Sequence, residues 1–258
     1  MSKTLKNTLL LAALLSLFSS AANSSSEHKS KGDGLPDPGV KLIKGQTAIV
    51  ITDPQIDFLS PKGVAWSLVG KSVTKNGTVN NLEKLMQAAQ ENDIVLVISP
   101  HYYAPQDLAF KHGGALEHAM HGIKMFEGNK RLDQSGIKEN SGADFMPQYK
   151  KYINNGKTAV ANPHKIYGPE SNDTVLQLRK RGINKVILAG MSANLCTESH
   201  LRELMEQGFE VLVVKDATAA AQLPDLDGYA AAMTNIRMIA NSVKTTDEVL
   251  AQIKEEIK

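Results

Sequence analysis

The single cysteine, Cys196, stands at the mouth of a helical pattern that begins near Leu195. Asp53 closes a long apolar run, and Lys165 lies in the polar segment Asn162-Pro-His-Lys-Ile-Tyr167. A thiol, a carboxylate and a cation brought together are a nucleophile with its activators. Only the thiolate attacks, and an ordinary thiol ionises near about 8.5. A helix N-terminus offers partial positive charge and free N–H groups, and Lys165 would add a full charge. Asp53 would take the thiol proton and return it to a leaving group. The backbone N–H groups of Ser192 and Cys196 would hold an oxyanion. Each residue also has a plainer reading when taken alone. A lone cysteine is often a small buried hydrophobe, an aspartate at a strand end a turn former, and a loop lysine a solvated charge.

Whether they meet depends on the elements that carry them. Apolar runs at 47–53, 93–99, 158–161, 185–190, 209–215 and 242–244 read as strands buried on both faces. Between them, 79–92, 173–181, 195–207 and 228–240 have helical periodicity, two of them stopped by Gly182 and Gly208. Strand alternating with helix predicts an α/β fold around a mostly parallel sheet. Asp53, Lys165 and Cys196 each follow a strand, so all fall on one edge of that sheet. Two long Gly/Pro-punctuated segments, 54–78 and 100–156, begin at the same edge, where open α/β sheets bind ligands.

Two motifs add a resemblance. Ile49-Val-Ile-Thr-Asp-Pro-Gln-Ile-Asp-Phe58 resembles the first-strand motif of isochorismatase-like (nicotinamidase-related) cysteine hydrolases. Val186-Ile-Leu-Ala-Gly-Met-Ser-Ala-Asn-Leu-Cys196 resembles their fourth-strand segment, and Val214-Lys-Asp-Ala-Thr-Ala219 the segment after strand five. The likeness spans about residues 45–247. It implies a three-layer, Rossmann-like α/β/α sandwich with a six-stranded parallel sheet. It implies Cys196 as nucleophile, Asp53 as general base and acid, and Lys165 as the electrostatic partner of the thiolate. It also implies a cis peptide between Met191 and Ser192 that aims the Ser192 N–H into the oxyanion hole. The activity it implies is cleavage of a small amide, ureide or carbamoyl C–N bond through an acyl-enzyme. Members are commonly oligomeric, which implies a homo-oligomer.

The sequence departs from the metal-dependent nicotinamidases. They carry an Asp-x-His pair after strand two, where this chain reads Ser99-Pro-His101. His112, His118 and His121 lie further on without a carboxylate to complete a recognisable set, so no metal or other cofactor is expected. Candidate pocket walls are Gln55, Phe58, Trp66, His101, Tyr102, Tyr103 and Tyr167, with loop anchoring as the alternative for Trp66 and the tyrosines. His164, beside Lys165, reads as a loop cap, with orienting the substrate as the alternative. The partly apolar stretch 100–130 reads as a lid or a docking face for a second subunit.

The chain has 258 residues, which suits one domain of 43–258 behind a leader. Lys3 and Lys6, an apolar run from Leu9 to Phe18 and the small residues up to Ala22 form the pattern of a signal peptide over 1–22, hence export to the periplasm or beyond. Residues 23–42 read as a disordered lead-in. A net charge of +2 gives no electrostatic case for nucleic acid or an anionic membrane surface, and the substrate that the resemblance implies is a small molecule. Two other functions fit the same fold. An isochorismatase-type ether hydrolase would not need Cys196, and an idle ligand-binding protein would be expected to have lost one of the three site residues.

Overall fold

A computed structural model of the chain describes residues 34–128 and 137–257. The expected signal peptide, 1–22, lies outside these residues, as does 23–33 of the lead-in. No helix among the described residues is long and apolar enough to cross a membrane.

Six strands form one sheet: β1 (Thr47–Thr52), β2 (Val95–Ser99), β3 (Ala159–Val160), β4 (Lys185–Met191), β5 (Glu210–Ala219) and β6 (Ser242–Lys244). Their spatial order is β3-β2-β1-β4-β5-β6, and every pairing is parallel. Alternate residues of each central strand feed opposite cores, as the two-residue period requires. Ile49 and Ile51 of β1 join Ile98, Ile187, Leu212 and Val214 on one face. Ala48 and Val50 join Val97, Val186, Leu188 and Val213 on the other.

Helices cover both faces. On the first lie α1 (Trp66–Asn76), α2 (Thr78–Glu91) and, further along the chain, the helix Thr246–Glu256. On the second lie the helices Thr174–Lys180, Glu198–Glu206 and Gly228–Ile239. The expected three-layer sandwich is the fold that forms, with the sheet wholly parallel.

The long segments hold more structure than their composition announced. Helix α1 occupies much of the first, with Val69, Gly70, Ser72 and Val73 inward. Its internal Gly70 is there because the Trp66 indole lies over it; an added Cβ would stand 2.6 Å from the ring. In the second segment α3 (Ala115–Gly122) buries Glu117 and Met120. The packed part of the chain also starts before residue 43. Val40 and Leu42 are buried, the Leu42 N–H donates to Glu256 Oε2 at 2.6 Å, and Gln252 Nε2 donates to the Val40 carbonyl at 2.7 Å. The expected disorder therefore does not extend over 38–42, because two apolar side chains and the C-terminal helix hold that stretch.

The strand order reverses between β1 and β4, whose chains leave the sheet in opposite directions. This is where open α/β sheets form a crevice. Gly190 lets the two strand ends close there: with φ +117, a Cβ on it would fall 2.2 Å from the Thr52 carbonyl oxygen.

Candidate active site

Asp53 and Cys196 stand on the two sides of that crevice. Asp53 follows β1 directly, with a left-handed φ of 46°, a conformation that non-glycine residues adopt mainly where surrounding structure holds them. Cys196 lies in a short π-helical turn, Ala193–Thr197, that leads into the helix Glu198–Glu206. The peptide Met191–Ser192 is cis. Thr52 ties the two sides together. Its Oγ1 donates to the Met191 carbonyl at 2.9 Å and lies 3.0 Å from the Thr197 hydroxyl.

His164 and His101 complete the cluster. One potential ligand atom each from Asp53, His101, His164 and Cys196 lie within 4.8 Å of one another. The four side chains are 0%, 1%, 0% and 3% exposed. His164 Nε2 is 2.8 Å from Asp53 Oδ1, with both side chains fully buried. The His101 ring packs against those of Tyr103, Phe126 and His164, at 4.7, 5.0 and 4.8 Å between centroids.

Lys165 does not take the place expected for it. Its ammonium donates to the Tyr102 carbonyl at 3.0 Å and pairs with the Asp107 carboxylate. The group that reaches Asp53 is the neighbouring imidazole. His164 makes an isolated parallel bridge with His101, the chain bends from Lys165 onward, and the side chains of His164 and Lys165 go to different partners. His164 therefore faces the crevice and Lys165 faces the loop that holds Asp107. The sequence reading of His164 as a loop cap is corrected by the same contact.

Burial pushes the Cys196 thiol well above its ordinary value, and the facing charge of Asp53 pushes the same way. The backbone N–H groups of Ser192 and Cys196 pull against both, so they lie where negative charge on or near the sulfur would be stabilised. Burial and the facing Asp53 thus both favour the neutral thiol over the preformed thiolate that the sequence suggested. His101 is held well below its usual value by burial and then by His164; the Lys165 backbone, close by but outside hydrogen-bond geometry, does not offset this.

One positioning residue was not anticipated. His200 lies one helical turn after Cys196, fully buried, with Nδ1 2.7 Å from the Cys196 carbonyl oxygen and Nε2 2.8 Å from Ser99 Oγ. A carbonyl can only accept, so Nδ1 carries the proton and Nε2 accepts from Ser99, which itself accepts from Asn172 Nδ2. Burial, with His164 adding to it, lowers the His200 pKa to about 3. The signal in the sequence was its i+4 spacing from the cysteine.

Beyond the sulfur opens a narrow apolar pocket walled by Phe58, Val69, Leu116, Met120, Met125 and Tyr167, with His101 and Ser192 at its polar end. Three of the expected wall residues, Phe58, His101 and Tyr167, are therefore in place. Gln55 is not a wall. Its amide is spent on backbone, donating to the carbonyls of His101 and Ala143 at 2.8 and 2.7 Å and accepting from the His101 N–H at 2.9 Å. Trp66 packs on Gly70, and Tyr102 and Tyr103 are buried supports. Asp57 likewise serves the loops, accepting from the N–H groups of Phe126 and Val64 at 2.8 and 3.3 Å. Of the later histidines, His112 and His118 are exposed, and His121 packs on Tyr103, near His101 but outside the four-residue cluster.

A buried thiol, acid and imidazole at the β1/β4 crevice define a cysteine-centred site on a doubly wound sheet. The model of the Isochorismatase domain matches residues 47–248, and the chain belongs to the isochorismatase family. It is 26% identical over 216 residues to the ureidoacrylate amidohydrolase RutB of Pseudomonas savastanoi pv. phaseolicola, covering 83% of this chain and 85% of that one. A shorter match, 45% identical over 49 residues, links it to the uncharacterized isochorismatase family protein YecD of Escherichia coli O157:H7; it spans 19% of this chain and only 26% of YecD. A cysteine hydrolase from Pseudomonas syringae pv. phaseolicola shares the fold, with a TM-score of 0.68, 19% identity and coverage of 86% of this chain and 99% of that one.

Proposed function

We propose that the protein hydrolyses a C–N bond of a small amide, ureide or carbamoyl compound through a thioester on Cys196. One observation carries this reading: the sulfur shares a buried cluster with the Asp53 carboxylate, and the N–H groups of Ser192 and Cys196 face it. Family membership and the RutB likeness support hydrolysis at an amide-type carbonyl.

The residues divide the work. Asp53 accepts the Cys196 proton as the sulfur attacks the carbonyl carbon, so the buried cluster gains no second charge before substrate arrives. The Ser192 and Cys196 N–H groups hold the developing oxyanion. Asp53 then protonates the departing nitrogen, the C–N bond breaks and the acyl group stays on sulfur. Water, deprotonated by Asp53, releases the acid and restores the thiol. His164 fixes the Asp53 carboxylate through Oδ1 and leaves Oδ2 for the proton. His200 fixes the Cys196 carbonyl and hence the turn that presents the sulfur. The apolar pocket favours a substrate whose non-reacting part is small and uncharged.

The test is ammonia or amine release from a panel of small amides, ureides and carbamoyl compounds, with Cys196→Ser as control. The reading predicts turnover of at least one compound and its loss in the variant. Equal rates in both proteins would remove Cys196 from the reaction. Export and self-association remain part of this proposal, resting on the pattern over 1–22 and on the habit of the family.

A further inference from the structure

The same four side chains suit more than a proton relay. Asp, His, His and Cys are each good zinc ligands, and four donor atoms from them lie within 4.8 Å of one another. In a tetrahedral zinc site with bonds of about 2.0–2.3 Å, donors stand roughly 3.3–3.8 Å apart, so shifts on the order of 1 Å would close this set. A second observation points the same way. Both ring nitrogens of His101 are buried without a hydrogen bond, and so is Asp53 Oδ2. A buried polar atom is ordinarily satisfied, and these are aimed among other donors. Charge balance agrees as well: a thiolate and a carboxylate in a buried place would neutralise a dication.

We propose that this cluster binds one divalent d-block cation, zinc being the probe of choice, through Asp53, His101, His164 and Cys196, and that binding reversibly blocks the hydrolase. Ligation releases the Cys196 proton to solvent and ties up the sulfur lone pair that attacks substrate. The set is distinct from the later histidines: His112 and His118 are exposed, and His121 packs on Tyr103 outside the four-residue cluster. The blocking half rests on the role of Cys196 proposed above; the binding half does not.

Cobalt(II) added to metal-free protein tests the site, because a sulfur-to-cobalt charge-transfer band can arise only from the one cysteine. The expected result is one cobalt per chain with that band, no band in Cys196→Ser, and affinity lower by at least about tenfold in His101→Gln, since even groups that merely orient a ligand cost 10–100-fold. Zinc should displace the cobalt and abolish amide turnover, and a chelator should restore it. Absence of the band in the native protein, or its persistence in Cys196→Ser, overturns the site. Full turnover with zinc bound overturns the block. If His101→Gln does not fold, Cys196→Ser decides alone. A metal-free protein that shows the band on cobalt addition but turns over no amide would sink the hydrolase reading while leaving the metal site standing.

Discussion

The crevice around Cys196 has two unlike halves. One is polar and comes from strand ends: Asp53 after β1, His101 after β2, His164 after β3 and Ser192 after β4. The other is apolar and comes from the segments between strands: Phe58, Val69 of α1, and Leu116 and Met120 of α3. Strand ends inherit their positions from sheet register, whereas a helix on a long connection is placed by its own packing. The polar half should therefore govern the chemical step and the apolar half the choice of substrate.

That division can be broken, starting with the largest effect. Cys196→Ser should lower kcat by at least about a thousandfold while the melting temperature stays near native, since removing a nucleophile costs that and more elsewhere. Asp53→Asn should cost about 10²–10⁴-fold in kcat, the usual worth of a positioned acid–base group. Next come the adjacent pair. His164→Ala should lower kcat at least about tenfold by freeing the Asp53 carboxylate, while Lys165→Met should leave kcat within about threefold and act on stability through Asp107. Equal losses in steady-state kinetics would return the ammonium to the reaction. In the apolar half, Met120→Gln should raise KM about tenfold with kcat little changed, the scale on which an apolar pocket discriminates. A fall in kcat instead would erase the distinction between the halves.

Acid stability supplies the smallest and most general test. His200 is pushed down to about 3 and His101 is also lowered, so both fold as neutral imidazoles. Unfolded imidazoles take up protons below about 6.5, so the unfolded state gains protons that the folded state refuses. The stability these residues contribute is present above that value and is lost as pH falls toward about 3. Urea midpoints across this range should decline less steeply in His200→Gln than in the native protein. Parallel slopes would mean that His200 is protonated in the folded state.

Much of this was legible in the sequence. The strands stand out because both faces are buried, which makes Thr47–Thr52 and Lys185–Met191 almost uninterrupted apolar runs. Helix α1 did not, because Gly70 and its β-branched neighbours weaken the helical signal and only the indole of Trp66 explains the glycine. Asp53 and Cys196 were found from their places after strands. The choice between His164 and Lys165 was not legible, since the chain bends at Lys165 just after the bridge residue His164 and nothing local in the sequence says which residue faces inward. The roles of Gln55 and His200 depend on carbonyls distant in sequence or set by the turn, and backbone partners leave no mark on composition.

The Thr52 hydroxyl bridges the two sides of the crevice. Because it meets both the carbonyl of Met191 and the hydroxyl of Thr197, the strand end that carries the carboxylate is tied to the turn that carries the sulfur. Among the described residues none of the hydrogen bonds of that hydroxyl reaches α3, so altering the α3 wall of the pocket would leave this tie between the two banks in place.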